Sequence, residues 1–225
     1  MRRGSPARGA WTVVMPVKGG PTAKSRLGAE PRLATAIALD SVAAALGCPA
    51  VGAVLTVTGD DEVAAACAAL GARVVREARA QGGLDAAVTL GVARARGSGA
   101  GPLAVLLADV PALTPADLAA ALDAVAVAVP EGCAVVPDAE GTGTVLLAAP
   151  RGRLVRPSFG VGSAAAHEAA GAVRLELDVP RLRGDVDDAD GLERALALGV
   201  GPRTAAALAA RSAAPVGRRT ACGLG

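Results

Sequence analysis

Lys18 and Lys24 are the only lysines in this 225-residue chain, and both fall in the stretch Met15-Pro-Val-Lys18-Gly-Gly-Pro-Thr-Ala-Lys24-Ser-Arg26-Leu27. Every other formal cation is an arginine. An ammonium is a compact point charge on a flexible stem, and two of them around a Gly-Gly-Pro turn suit a phosphate-bearing ligand. A solvated turn with lysines placed by chance explains the loop alone equally well.

Carboxylates supply the complementary chemistry. Asp109 ends the apolar run Leu103-Ala-Val-Leu-Leu-Ala108, and a second acidic group, Asp185-Val-Asp187-Asp188, follows Gly184. A carboxylate at the end of a buried strand is costly unless a cation meets it. Two of them from separate segments suit Mg²⁺, a hard ion that takes few protein oxygens and keeps phosphate and water as its other ligands. Asp109 also fits as an ordinary turn carboxylate before Pro111, and Asp187 or Asp188 as a helix cap. Two glycine-rich segments complete the candidates. Gly141-Thr-Gly-Thr144 lets backbone approach a ligand closely. Ser158-Phe-Gly160-Val-Gly162-Ser163 leads into a helix whose first N–H groups form an anion site. The lone His167 is expected on the outer side of that helix rather than in a proton relay.

These groups must be positioned by strands and helices that alternate. Buried strands are expected at residues 11–17 and 103–108, and further strands at 51–58, 72–76, 133–137, 144–149 and 173–177. Helices are expected at 31–46, with Asp40 on the outer face, and at 61–70, 84–96, 115–129, 163–170, 188–198 and 203–213. Asp60-Asp61-Glu62 suits a helix N-terminus, and Thr114-Pro115 reads as an N-cap followed by proline at the first helical position. Repeated β-then-α order implies a doubly wound α/β sheet with helices on both faces. In such sheets ligands sit beyond the carboxyl ends of the strands, where the Lys18 loop and Asp109 both fall. One domain over residues 11–212 is expected, with a flexible N-terminus at 1–10, a turn at 98–101 and a frayed tail at 213–225.

Composition narrows the function. The formal charge is +2, and Trp11 and Phe159 are the only aromatics, which speaks against nucleic acid and base-stacking surfaces. A core of Ala, Val and Leu favours close helix-on-sheet packing. Charges interrupt every apolar run, so no membrane partner is expected and a cytoplasmic setting follows. Cys48, Cys67, Cys133 and Cys222 form no Cys-x-x-Cys pair, and a zinc site is not expected. Neither a P-loop nor a dinucleotide fingerprint occurs. Gly199-Val-Gly201-Pro202-Arg203-Thr204 imitates a DNA-binding hairpin, but in one copy without a basic stripe it reads as a turn between two helices.

Taken in order, residues 16–27, Leu107-Ala-Asp-Val-Pro-Ala-Leu113, Gly141-Thr-Gly-Thr144, Ser158-Phe-Gly160 through Ser163, and Leu182-Arg-Gly-Asp-Val-Asp187 resemble the guanylyltransferases of coenzyme F-420 biosynthesis, especially their actinobacterial phosphoenolpyruvate branch. The resemblance covers roughly residues 11–210. It implies a three-layer α/β/α sandwich with a mixed, mostly parallel sheet, of the nucleotidyltransferase type and like glycosyltransferase A folds. It implies transfer of GMP from GTP to the phosphate of phosphoenolpyruvate or 2-phospho-L-lactate, with pyrophosphate released. By the same resemblance Asp109 and Asp185 hold Mg²⁺, and Thr144, Gly160 and Ser163 contact the phospho-acid. Lys18, Lys24 and Arg26 face the GTP phosphates, with Lys18 and Arg26 joining the two aspartates as the catalytic set. Gly82, Gly83 and Asp85 form the base-binding loop, where Asp85 replaces the family's usual Asn. The implied partners are GTP, a three-carbon phospho-acid and a downstream transferase that accepts the guanylyl intermediate. A homodimer is compatible with the sequence. The rival readings are a nucleotidyltransferase with a molybdopterin or sugar-phosphate acceptor, and a non-catalytic nucleotide- or DNA-binding module.

Overall fold

The computed structural model describes residues 10–18, 31–77, 83–97 and 101–213. Lys24, Arg26, Gly82, Cys222, most of the expected 98–101 turn and nearly all of both expected terminal segments lie outside them. The described elements run β1 (Trp11–Pro16), α1 (Pro31–Gly47), β2 (Val51–Thr58), α2 (Asp61–Leu70), β3 (Arg73–Arg76), α3 (Gly83–Arg96), β4 (Leu103–Leu106), α4 (Pro115–Ala128), β5 (Ala134–Pro137), β6 (Thr144–Ala149), α5 (Ser163–Ala169), β7 (Val173–Arg174), α6 (Pro180–Arg183), α7 (Ala189–Leu198) and α8 (Pro202–Ala213).

The strands form one sheet in the order β3-β2-β1-β4-β6-β5-β7. β1 pairs in parallel with both β2 and β4, and only β6 runs against its neighbours, β4 and β5. The chain order reverses between β1 and β4, which opens a crevice at the carboxyl edge. The reversed β6 matters for the same edge, because its first residue, Thr144, lies opposite Pro137, the last residue of β5.

Alternating residues of each strand face opposite layers. Val13, Met15, Ala104 and Leu106 join a core with α1, α2, α4 and α6. Val14, Leu103, Val105 and Leu147 join one with α3. Both faces are covered, so central strands such as β4 and β5 are apolar throughout rather than alternately polar. The expected close packing is visible at Gly91, where a Cβ would run into the side chains of Val14 and Val57. A third, small core of Leu33, Ile37, Val186 and Ala195 joins α1 to α7 and α8.

The helix starts follow the expected chemistry. Asp60 caps α2 by accepting from Val63 N, and Thr114 and Asp117 form a capping box at α4 with Pro115 at N1. Asp188, not Asp187, is the N-cap of α7, accepting from Gly191 N. Two expectations change. Asp40 does not face outward but is 5 % exposed, and its carboxylate accepts from Arg203 N (3.2 Å) and Thr204 N (2.7 Å). It caps α8 from another helix, satisfying N–H groups that have no partner within α8 itself. The strand expected at 173–177 is only Val173–Arg174, since the chain turns toward α6. Cys48, Cys67 and Cys133 are buried free thiols, pushed above the usual thiol range chiefly by burial. Among the described residues no helix is long and apolar enough to cross a membrane.

Candidate active site

Three groups of side chains meet along the carboxyl edge of the sheet. Over β1, β2 and β3 lies a cleft of about 260 Å³ whose lining includes Lys18, Asp60, Glu77, Gly83 and Leu84. Lys18 reaches it from the end of β1, Glu77 from the end of β3, and Gly83 opens α3 there with φ +72°. The start of a 14-residue helix therefore borders the cleft, and a helix N-terminus favours anions.

The second group is acidic. Carboxylate oxygens of Asp109, Asp185 and Asp187 lie within 4.8 Å of one another, and Asp185 forms a second such group with Asp138 and Glu140. Backbone ties bring these segments together. Val186 N donates to Asp109 O (2.9 Å), and Ala139 N donates to Arg183 O (2.8 Å). The buried Ser41 of α1 accepts from Val110 N (3.2 Å) and donates to Ile37 O (3.0 Å), which fixes the turn after Asp109 to the helix. Asp138 accepts from Thr142 N (2.9 Å) and Gly143 N (2.6 Å), so its carboxylate orders the β5–β6 hairpin. Asp185 is pushed up to about 8, first by burial and then by Asp109, Asp187, Asp138 and Glu140. So many converging acids favour protonation unless a cation joins them. The donor set is all carboxylate oxygen, which fits Mg²⁺ better than a soft metal.

The third group surrounds the start of β6. Thr144 and Ser163 are buried, and so is His167, at 0 % exposure rather than on the outer side of α5. The ring bridges Thr144 Oγ1 (Nδ1, 3.0 Å) and Ser158 N (Nε2, 3.0 Å), and Phe159 packs edge-on with ring centroids 5.0 Å apart. Burial lowers its pKa, with the Asp85 charge opposing. Gly160 holds φ +126° and Gly162 φ +73°, angles that glycine adopts without strain. The expected anion site at this helix start is largely used internally. Ser163 N donates to Gly160 O and Ala164 N to Thr142 O, both at 3.1 Å. The Ser163 hydroxyl is buried and has no hydrogen bond among the described residues.

Several expected residues are thus brought together: Lys18 and Gly83 at the cleft, Asp109 and Asp185 at the acidic centre, Thr144, Gly160 and Ser163 beyond it. Asp85 sits apart from the cleft. Its carboxylate accepts from Phe159 N (2.7 Å), and it lines a shallow groove on the other side of α3 with Thr89 and Arg156. Glu77, Ser41, Asp138, Glu140 and His167 were not singled out as site residues by sequence. Glu77 and Asp138 each follow a β-run directly, which was the available signal. In the hairpin-like Gly199 segment, Gly201 N donates to Pro111 O (2.8 Å), and the N–H groups of Arg203 and Thr204 go to Asp40. The segment offers no such amides to DNA phosphates.

The acidic centre and the Lys18 cleft share the carboxyl edge of one mixed sheet. Residues 32–158 match the MobA-like NTP transferase domain. The fold is shared with a nucleotidyl transferase from Methanothermobacter thermautotroptrophicus, at TM-score 0.58 and 22% identity over 82% of this chain and 95% of that one. It is shared as well with 4-diphosphocytidyl-2C-methyl-D-erythritol synthase, at TM-score 0.54 and 18% identity over 85% and 99%.

Sequence relatives are more specific. The chain is 52% identical to a phosphoenolpyruvate guanylyltransferase of Salinispora arenicola, covering 93% of this chain and 98% of that protein. It is 50% identical to one of Streptomyces coelicolor, covering 88% and 96%. The chain belongs to the phosphoenolpyruvate guanylyltransferase family of MobA-like nucleotidyltransferases.

Proposed function

We propose that the protein transfers GMP from GTP to the phosphate of phosphoenolpyruvate, releasing pyrophosphate, within coenzyme F-420 biosynthesis. What supports this reading is the acidic centre at Asp185, on the same carboxyl edge of the sheet as the Lys18 cleft and as Thr144 at the start of β6. A two-anion reaction needs cations between its reactants. Phosphate charges about 4 Å apart repel by roughly 4 kcal/mol per pair at an effective dielectric near 20.

In this reading the nucleoside lies over β1 to β3 and its phosphates extend toward Lys18, with Lys24 and Arg26 of the same loop as further cations. Asp109 and Asp185, with Asp187 beside them, are the residues that would hold Mg²⁺. The ion would supply Lewis-acid neutralisation of phosphate charge. An oxygen of the acceptor phosphate attacks the α-phosphorus, and the bond to the bridging oxygen of pyrophosphate breaks. The attacking phosphate oxygen is already deprotonated at neutral pH, so the chain needs no general base; its residues position and stabilise charge. Thr144 and Ser163 bring hydroxyls to the acceptor acid, and Gly160 lets its backbone come close. Glu77, rather than Asp85, reads guanine by accepting from N1–H and the exocyclic amine, because Glu77 lines the cleft.

The test is to incubate the protein with GTP, Mg²⁺ and phosphoenolpyruvate, 2-phospho-L-lactate or 3-phosphoglycerate in turn, and identify products by mass. A guanylyl–phosphoenolpyruvate product with matching pyrophosphate is expected. No product with any of the three, or a product only with molybdopterin or a sugar phosphate, would overturn the reading.

A further inference from the structure

The mechanism above uses Thr144 but leaves the neighbouring imidazole unexplained. A fully buried histidine bonded at both nitrogens is an unusual element in a core of small aliphatic residues, and its two partners come from the two segments that the proposed reading assigns to the acceptor acid. One is Thr144 at the start of β6. The other is the 158–162 loop that leads to Ser163.

Hydrogen-bond accounting fixes the ring's tautomer. Ser158 N is a backbone amide and can only donate, so Nε2 must accept and carries no proton. In the neutral ring the proton is then on Nδ1, and Nδ1 donates to Thr144 Oγ1. Thr144 therefore receives a hydrogen bond from inside the protein. Its own hydroxyl proton is left to donate to an acceptor other than the ring. A bound anionic acid is such an acceptor. The same ring holds the loop through Ser158 N, with Phe159 edge-on against it and Phe159 N bonded to Asp85 Oδ1.

We infer that His167 is a positioning residue for the acceptor acid: it leaves the Thr144 hydroxyl proton to that acid and ties the Ser158–Gly162 loop to β6. The inference rests on the proposed phosphoenolpyruvate reading. It also gives Asp85 a task, as the second anchor of that loop. The neutral ring is required, because an imidazolium donates from both nitrogens and cannot accept from Ser158 N. Burial favours the neutral form. Among the described residues, Asp85 of α3 is the charge that acts on the ring, while β6 and the loop present Thr144, Ser158 and Phe159, none of them charged.

Steady-state kinetics with GTP and phosphoenolpyruvate test this on four full-length proteins: unaltered, Thr144→Val, His167→Ala and His167→Gln. The KM for phosphoenolpyruvate should rise about tenfold or more in Thr144→Val and His167→Ala, as for a lost hydrogen bond to a charged group, while the KM for GTP stays within about twofold. Glutamine keeps one donor and one acceptor but does not ionise, so His167→Gln should recover part of the loss. As pH falls below the ordinary imidazole range, the unaltered protein should lose phosphoenolpyruvate affinity more steeply than His167→Gln. Comparing the two proteins cancels the ionisation of the substrate phosphate, near pH 6. No turnover of phosphoenolpyruvate by the unaltered protein would sink the parent reading. Normal turnover with an unchanged KM in His167→Ala, or a loss shared equally by kcat and both substrates, would overturn the role of His167 alone. Should His167→Ala fail to fold, parallel pH profiles for the unaltered protein and His167→Gln would overturn it instead.

Discussion

Asp185 is the residue on which the acidic groups converge, since its carboxylate belongs to both carboxylate trios. Replacing it or Asp109 by Ala should reduce GTP-dependent pyrophosphate release by about a hundredfold or more, the scale of a lost charge-stabilising group. The far-ultraviolet dichroism should be unchanged, and near-normal turnover in either variant would remove the metal assignment. Glu77 carries a different expectation. A carboxylate matches the two donors of guanine, whereas adenine presents an acceptor at N1. Glu77→Gln should therefore cut the preference for GTP over ATP by about ten- to a hundredfold in kcat/KM, the scale of one bidentate base contact. Equal discrimination in the variant would return the base-reading task to another residue. Asp85 shows the limit of reading at this scale. Its place two residues after Gly83 matched a base-binding loop, but its side chain turns to Phe159 N. Adjacent residues of a helix point in different directions, and only the packed helix tells which side meets the cleft.

At the scale of elements, the carboxyl edge is assembled by contacts between segments far apart in the chain. α8 is capped by Asp40 from α1, 164 residues away from Thr204. Losing this cap would leave first-turn amides of α8 without partners. Asp40→Ala should cost about 1–3 kcal/mol, the range of caps and buried hydrogen bonds, and lower Tm by several degrees. Chemical denaturation would measure it, and a change below about 0.5 kcal/mol would show that the cap is dispensable. Gly91 tests the opposite fault. An added methyl at Gly91→Ala meets Val14 and Val57, so overpacking should cost about 1–3 kcal/mol, although alanine is the better helix former. A stabilised Gly91→Ala would mean that α3 can shift away from the sheet. Most elements were legible beforehand, because apolar runs, Asp60 and Thr114-Pro115 are local signals. The buried side of Asp40 was not, because a polar residue in an apolar helix looks outward until another helix brings it unpaired N–H groups.

At the scale of the molecule, one edge of the sheet collects charge. Without a cation the acidic centre works against folding. Asp185 has its ordinary value of 3.8 raised to about 8, so its contribution to stability is fully present below 3.8 and is lost as pH rises toward 8. A bound divalent cation favours the ionised carboxylates and offsets that loss. The gain in Tm from Mg²⁺ over a chelator should therefore widen between about pH 5.5 and pH 8.5. At about a hundredfold excess over Kd the stabilisation free energy should reach roughly 2.7 kcal/mol. Melting curves in the two conditions measure this, and a gain that shrinks with pH would contradict a carboxylate-held ion.

The sequence by itself determined the class of fold, through strand and helix signals of fixed period. It also determined the ordered motifs that carry Lys18, Asp109, Thr144, Ser163 and Asp185, because each lies beside a strand or helix end that local chemistry marks. Tertiary structure decided what those motifs meet. It set Asp187 and Asp185 against Asp109, turned Asp85 toward the 158–162 loop, brought Glu77 into the cleft and buried His167 between Thr144 and Ser158. The reason is geometric. Periodicity says which side of an element is apolar, but the reversed β6 and the α1–α8 contact join segments whose separation along the chain carries no trace of their distance in space.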